Sequence, residues 1–145
     1  MRELIGVIYP IPINFIDRLF DGETKVFVKY VAHNSTQLAP KHKVIFYGSR
    51  GSKELVGEGT IEKVEFLTPE EAITKYKEEL FLTKDEIYDY VKRSPSRNLS
   101  KEMLTLVLKR LKKYHKPIQY PKPITMAGQY LSSSEYNSLM QKEEE

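Results

Sequence analysis

The sequence predicts an α+β fold: one small domain with a mixed, mostly antiparallel sheet curling toward a small β-barrel, flanked by short helices. Three observations predict it. Runs of β-branched and aromatic residues recur at residues 3–9, 24–31 and 43–49, each bounded by proline, glycine or turn residues. The run ELVGEGTIEKVEFL sets Gly57 and Gly59 inside an alternating strand, a pattern of bulges and tight curvature. Two capping signatures, TPEE and TKDE, then open helices.

Residues 3–9 read as a strand ended by Pro10. Ile13, Ile16, Leu19 and Phe20 fall at helical spacing, and Gly22 stops that helix. Residues 24–31 read as a half-exposed strand, with Lys25 and Lys29 on one side and Val26, Val28 and Tyr30 on the other. AHNSTQLAPKH is turn chemistry, and KVIFYGS is an apolar run suited to a strand buried on both faces. RGSK is a glycine-containing turn between strands.

Thr68 caps the first later helix, Pro69 suits its first position and Glu71 completes the box; Thr83 and Glu86 repeat the pattern. The second helix ends near Ser94, because Pro95 disfavours helical geometry before it. Residues 102–114 stay open. Met103, Leu106, Val107 and Arg110 share a helical face, yet Leu104, Leu106 and Leu108 alternate as in a strand. Pro117, Pro121 and Pro123 impose an extended course, and Ser134 caps a last short helix over residues 135–140.

A length of 145 residues fits one domain, and 40% hydrophobic with 30% charged residues excludes a disordered chain. No apolar run approaches the ~20 residues that span a bilayer. The first twelve residues are broken by Pro10 and Pro12 and lack a small-residue cleavage site, so no signal peptide is expected. With no cysteine, disulfides and thiolate metal sites are excluded, and His33, His42 and His115 lack ligand spacing. The expectation is a cytoplasmic protein with no metal, no cofactor and no membrane contact.

The net charge of +3 hides an asymmetry: residues 92–116 hold nine basic residues against Glu102, leaving the rest of the chain at −5. Such a local band suits a phosphate-contacting surface, or a solvated face.

Several segments carry a family resemblance. IDRLFDGETKVFVKY, KHKVIFYGS, ELVGEGTIEKVEFLTPEEA and KKYHKPIQYP, in that order, resemble the PUA-like superfamily, particularly its ASCH and EVE branches and an uncharacterised archaeal family related to them. The resemblance covers about residues 3–120 and implies that residues 102–114 are a strand. It also implies that the chain from about residue 121 is a family-specific extension.

PUA-like domains bind RNA or a modified base beside the barrel, so the resemblance implies RNA or a modified nucleotide as partner. Tyr47, Gly48, Ser49, Arg50, Gly51, Ser52 and Lys53 form a polar, basic corner: glycine lets amides approach phosphate, Arg50 and Lys53 reach phosphate oxygens, and Tyr47 offers a stacking face. An ordinary hairpin turn with a core tyrosine is the structural alternative. Lys25, Lys29, Arg93 and Arg97 would extend the surface, and Tyr130, after Gly128 and Gln129, would add stacking.

Some ASCH relatives are amidohydrolases of acylated cytidine that use a Lys and a Thr in a GxKTxE-type motif. Here Thr24 and Lys25 are present in shifted order and Phe27 replaces the acidic residue. Adjacent on a strand, they point to opposite faces, which argues against a nucleophile and base pair. No P-loop, GxGxxG or GxSxG occurs. A protein-docking module using the proline-rich carboxyl terminus is the third reading.

Overall fold

The computed structural model describes residues 3–22, 24–31, 36–49, 53–120, 122, 124–125 and 127–144. Its strands are β1 (Leu4–Pro12), β2 (Val26–Lys29), β3 (Lys43–Ser49), β4 (Glu54–Leu67), β5 (Met103–Gln119) and β6 (Gln129–Ser132). Its helices are α1 (Ile13–Ile16), continued by a 3-10 turn (Asp17–Phe20), then α2 (Pro69–Tyr76), α3 (Lys84–Lys92) and α4 (Ser133–Glu144). Among these residues the strands form one sheet in the order β2-β5-β4-β3-β1-β6. Only β1 and β3 run parallel.

Both capping boxes are present, with Thr68 accepting from the Glu71 amide and Thr83 from the Glu86 amide, while each glutamate returns to the cap backbone. The open segment is a strand, as the family resemblance implied: β5 pairs with β2 on one side and β4 on the other. Gly22 closes the α1 region at φ +92°, a conformation that suits glycine.

Strand β1 does not stop at Pro10. It runs to Pro12, in parallel register with β3 up to the pair Pro12 and Ser49. Strand β6 reaches only to Ile8, so both prolines lie where the other edge of β1 is open, and a missing donor is tolerated.

Alternation along the strands feeds two cores. Val7, Tyr9, Ile11, Val44 and Phe46 enter one, with Phe27 and Leu106; Ile8, Ile45, Tyr47 and Leu55 enter the other. That is why KVIFYGS is apolar throughout. The second core is covered by α4, which is longer than expected and contributes Tyr136, Leu139 and Met140. The Tyr136 hydroxyl donates to the Glu58 carboxylate at 2.8 and 2.9 Å, and the Tyr114 hydroxyl donates to it at 2.9 Å. Lys43 Nζ lies 3.6 Å from the same carboxylate, which is 5% exposed at the residue level. The carboxyl-terminal segment thus pairs with β1 through β6 and seals one face through α4.

The sheet is curled but is not closed into the expected barrel. Four strand spacings separate β2 from β1, about 19 Å in a flat sheet. Yet the Tyr9 and Phe27 rings stack with centroids 5.6 Å apart, so the sheet wraps until β1 and β2 face each other. No ladder joins them. Pro10 and Pro12 have no N–H to offer a closing strand.

Candidate functional site

The open seam between β1 and β2 is a pocket of about 340 Å³. Pro10, Pro12 and Phe15 form one side, Phe27, Lys29 and Phe81 the floor, and Glu86, Asp89, Tyr90, Arg93 and Arg97 the far wall. Capping fixes that wall, since the box at Thr83 sets where α3 begins and hence where Tyr90 and Arg93 stand.

Lys29 was expected on an exposed strand face; instead it is 7% exposed. The chain after α2 covers β2, with the Phe81 amide donating to the Val26 carbonyl at 3.0 Å and the Lys25 amide to the Glu79 carbonyl at 2.9 Å. Lys29 Nζ stands 4.2 Å from the Tyr9 ring centre. Burial, with Arg97 nearby, lowers its pKa to about 8.

Arg97 closes the wall. Its Nη1 donates to the Tyr90 carbonyl at 2.8 Å and its guanidinium lies 4.1 Å from the Tyr90 ring centre. Tyr90 in turn stacks on Tyr30 at 5.6 Å, and its hydroxyl accepts from the Tyr30 amide at 2.8 Å. Arg18 grips Glu86 with two bonds, at 2.5 and 2.8 Å, and this holds the Glu86 carboxyl down at about 2. With Glu86 neutralised by Arg18, the pocket presents Lys29, Arg93 and Arg97 against Asp89, over an aromatic floor.

Of the residues singled out from the sequence, Lys29, Arg93 and Arg97 therefore meet in one place. Tyr130 is 39% exposed and lies near Tyr9, whose pKa is raised first by burial and then by Tyr130. Gly128 packs on the Tyr9 ring so closely that a Cβ there would lie 2.7 Å from it. Tyr130 thus borders the aromatic system under Lys29.

Tyr47 corrects the expectation of a stacking face: strand alternation turns its ring into the second core, beside Ile45 and Leu55. Ser49 pairs by register with Pro12, so the chain leaves β3 at the pocket's edge. Arg50, Gly51 and Ser52 lie outside the described residues, and Lys53 is exposed with φ +58°. Thr24 and Lys25 face different partners: the Thr24 hydroxyl lies 3.5 Å from Asp21 and Lys25 Nζ 3.8 Å from Glu79. The basic band also divides, since Arg93 and Arg97 line the seam while Lys109 and Arg110 line another depression beside Lys25.

Sequence reasoning passed over Phe15, Phe81 and Tyr90 as pocket residues. Their only signal was density of aromatics near arginines, which ordinary core packing also produces. Among the described residues no helix is long and apolar enough to cross a membrane, and no His, Asp and Glu cluster has the form of a metal site.

Residues 4–133 match the family described as a domain of unknown function, DUF365. The chain belongs to this family. An uncharacterised relative from Methanocaldococcus jannaschii is 34% identical to this DUF365 chain over 106 residues, which span 69% of the chain and 98% of the relative. In fold, this chain resembles the ASCH structure from Zymomonas mobilis, with a TM-score of 0.77 at 14% identity over 94% of each chain. It also resembles the N-terminal domain of Staphylothermus marinus McrB, with a TM-score of 0.59 at 14% identity over 98% of each. The fold of this DUF365 chain is ASCH-like.

Proposed function

We propose that the seam between β1 and β2 binds RNA, or a modified nucleotide, by taking one nucleotide into the pocket. The base lies against Phe15, Phe27, Phe81 and Tyr90, and its phosphate meets Lys29, Arg93 and Arg97. A volume of about 340 Å³ falls at the small end of ligand sites, which run from roughly 300 to 1,000 Å³.

The observation that carries this reading is the buried Lys29. Its ammonium lines an open pocket together with Arg93 and Arg97, and a desolvated ionisable group in a pocket marks a candidate binding site. An anionic ligand in this pocket meets three cationic side chains, Lys29, Arg93 and Arg97. The RNA-binding habit of PUA-like domains, implied by the family resemblance, agrees with this.

The experiment is retention of a cellular RNA pool by the wild-type protein and by Arg93→Gln with Arg97→Gln, at low and near-physiological salt. RNA species held by wild type and released by the double variant support the reading. Equal retention by both, or none by either, overturns it.

The lowered pKa of Lys29 favours one second reading, a hydrolase of a modified nucleoside in the same pocket. An amine near pKa 8 is partly neutral at physiological pH and serves as a base. In that case Lys29→Met loses turnover while substrate binding persists.

A further inference from the structure

A second depression, of about 290 Å³, lies where the chain entering β2 meets the middle of β5. Its floor is apolar, with Leu19, Phe20 and Leu108, and its rim carries Lys25, Lys109 and Arg110 against Glu62. The side chains of Lys109 and Arg110 make no ion pair and no hydrogen bond among the described residues.

The backbone is bent to present them. Glu58 pairs with Lys112 and Thr60 with Lys109, so β5 sets the two residues Arg110 and Leu111 against Gly59 alone. This is a bulge, and Arg110 sits in it at φ +53°, a conformation that glycine adopts at no steric cost. Leu111 folds onto Gly59, where a Cβ would lie 2.8 Å from it, and strand alternation is broken. Lys109 and Arg110 therefore stand next to each other, both exposed, rather than on opposite faces. A strained arginine kept where glycine would fit is a feature of binding sites more than of scaffolds.

We infer that this groove binds the phosphodiester backbone of a nucleic-acid strand, Lys109 and Arg110 each neutralising one phosphate and Lys25 flanking them. The inference rests on the seam reading for its geometry. Lys25 and Lys29 are four residues apart on one extended segment, about 13 Å, so a strand with one nucleotide in the seam has its neighbouring phosphates within reach of the groove.

The test is fluorescence anisotropy with the full chain and three probes: uridine monophosphate by competition, a single-stranded RNA of about twelve nucleotides, and DNA of the same sequence, a length within the site sizes of strand-binding domains. In Lys109→Gln with Arg110→Gln, strand affinity falls about tenfold and the slope of log affinity against log salt flattens by about 1.4, at about 0.7 per phosphate. Mononucleotide binding stays unchanged. Arg110→Gly, which relaxes the bulge and keeps the fold, shows half of that slope change. The RNA and DNA arms identify which strand the groove takes.

An unchanged slope in both variants, or no strand binding by wild type, overturns the inference. Strand binding with the altered slope but without mononucleotide binding upholds the groove while removing the seam reading.

Discussion

Lys29 Nζ stands 4.2 Å from the centre of the Tyr9 ring, and the two residues come from strands four positions apart in the sheet. The contact exists because the sheet curls without closing. It returns up to about 2 kcal/mol for a desolvated ammonium over an aromatic face, less than full hydration supplied. The remaining deficit shows as the lowered pKa, about 8, and has two consequences that can be measured.

Stability rises with pH from about 8 to about 10. Unfolded, Lys29 titrates near 10.4, whereas folded it loses its proton near 8. Between those values the unfolded chain binds more protons, so each pH unit adds about 1.4 kcal/mol to folding from this group. Above about pH 10 the raised tyrosines Tyr9, Tyr114 and Tyr136 act in the opposite direction, because the unfolded chain then releases protons first. Urea unfolding at a series of pH values tests this, and a flat or falling profile from 8 to 10 contradicts it.

Lys29→Met keeps an unbranched side chain, one atom shorter, and removes the buried charge. At neutral pH the variant is expected to be as stable as wild type or more stable by up to about 2 kcal/mol, with the pH slope gone. A loss of stability would mean that the ammonium has protein partners strong enough to repay its burial. Unfolding midpoints at neutral pH and near pH 9.5 separate the two cases.

Glu86→Gln retains the capping box at Thr83 but removes the ion pair with Arg18. The expected cost near pH 7 is about 1 kcal/mol, discounted because Arg18 is over a third exposed. The carboxyl of Glu86 is held at about 2, chiefly by Arg18, so the pair stabilises above the usual carboxylate range and is lost as pH falls through 2. Wild type and variant therefore converge in acid, which paired unfolding curves at about pH 7 and pH 2 will show.

Tyr136→Phe removes one of the two tyrosines clasping the buried Glu58. Bonds to a charged group are worth about 1.5 to 3 kcal/mol, and the loss falls on the docking of α4. Hydrogen exchange should quicken first in α4 and β6, with β1, β3 and β4 protected. Uniform loss of protection would show that α4 is not a separable cover.

The sequence carried the elements well where local chemistry dictates them. Thr68 with Glu71 and Thr83 with Glu86 declare helix starts, and KVIFYGS declares a strand between two cores. It carried the site only in part. Lys29, Arg93 and Arg97 were chosen for charge, but that they meet depends on the curl of the sheet and on the covering of β2 by the chain after α2, both set by long-range packing. Tyr47 was misread because an aromatic beside a basic turn looks the same whether its ring faces solvent or a helix folded on from residues ninety positions later. The proline at position 10 misled for a similar reason: whether a strand tolerates it depends on which edge is open.

The most direct measurement is calorimetric titration of RNA-derived nucleoside monophosphates into the wild-type protein and Lys29→Met, near pH 7 and near pH 9.5. The account expects wild type to bind at least one of them near pH 7 and more weakly as Lys29 loses its proton, and a folded Lys29→Met to bind none at either pH. Equal binding by the two proteins, with no dependence on pH, would contradict it.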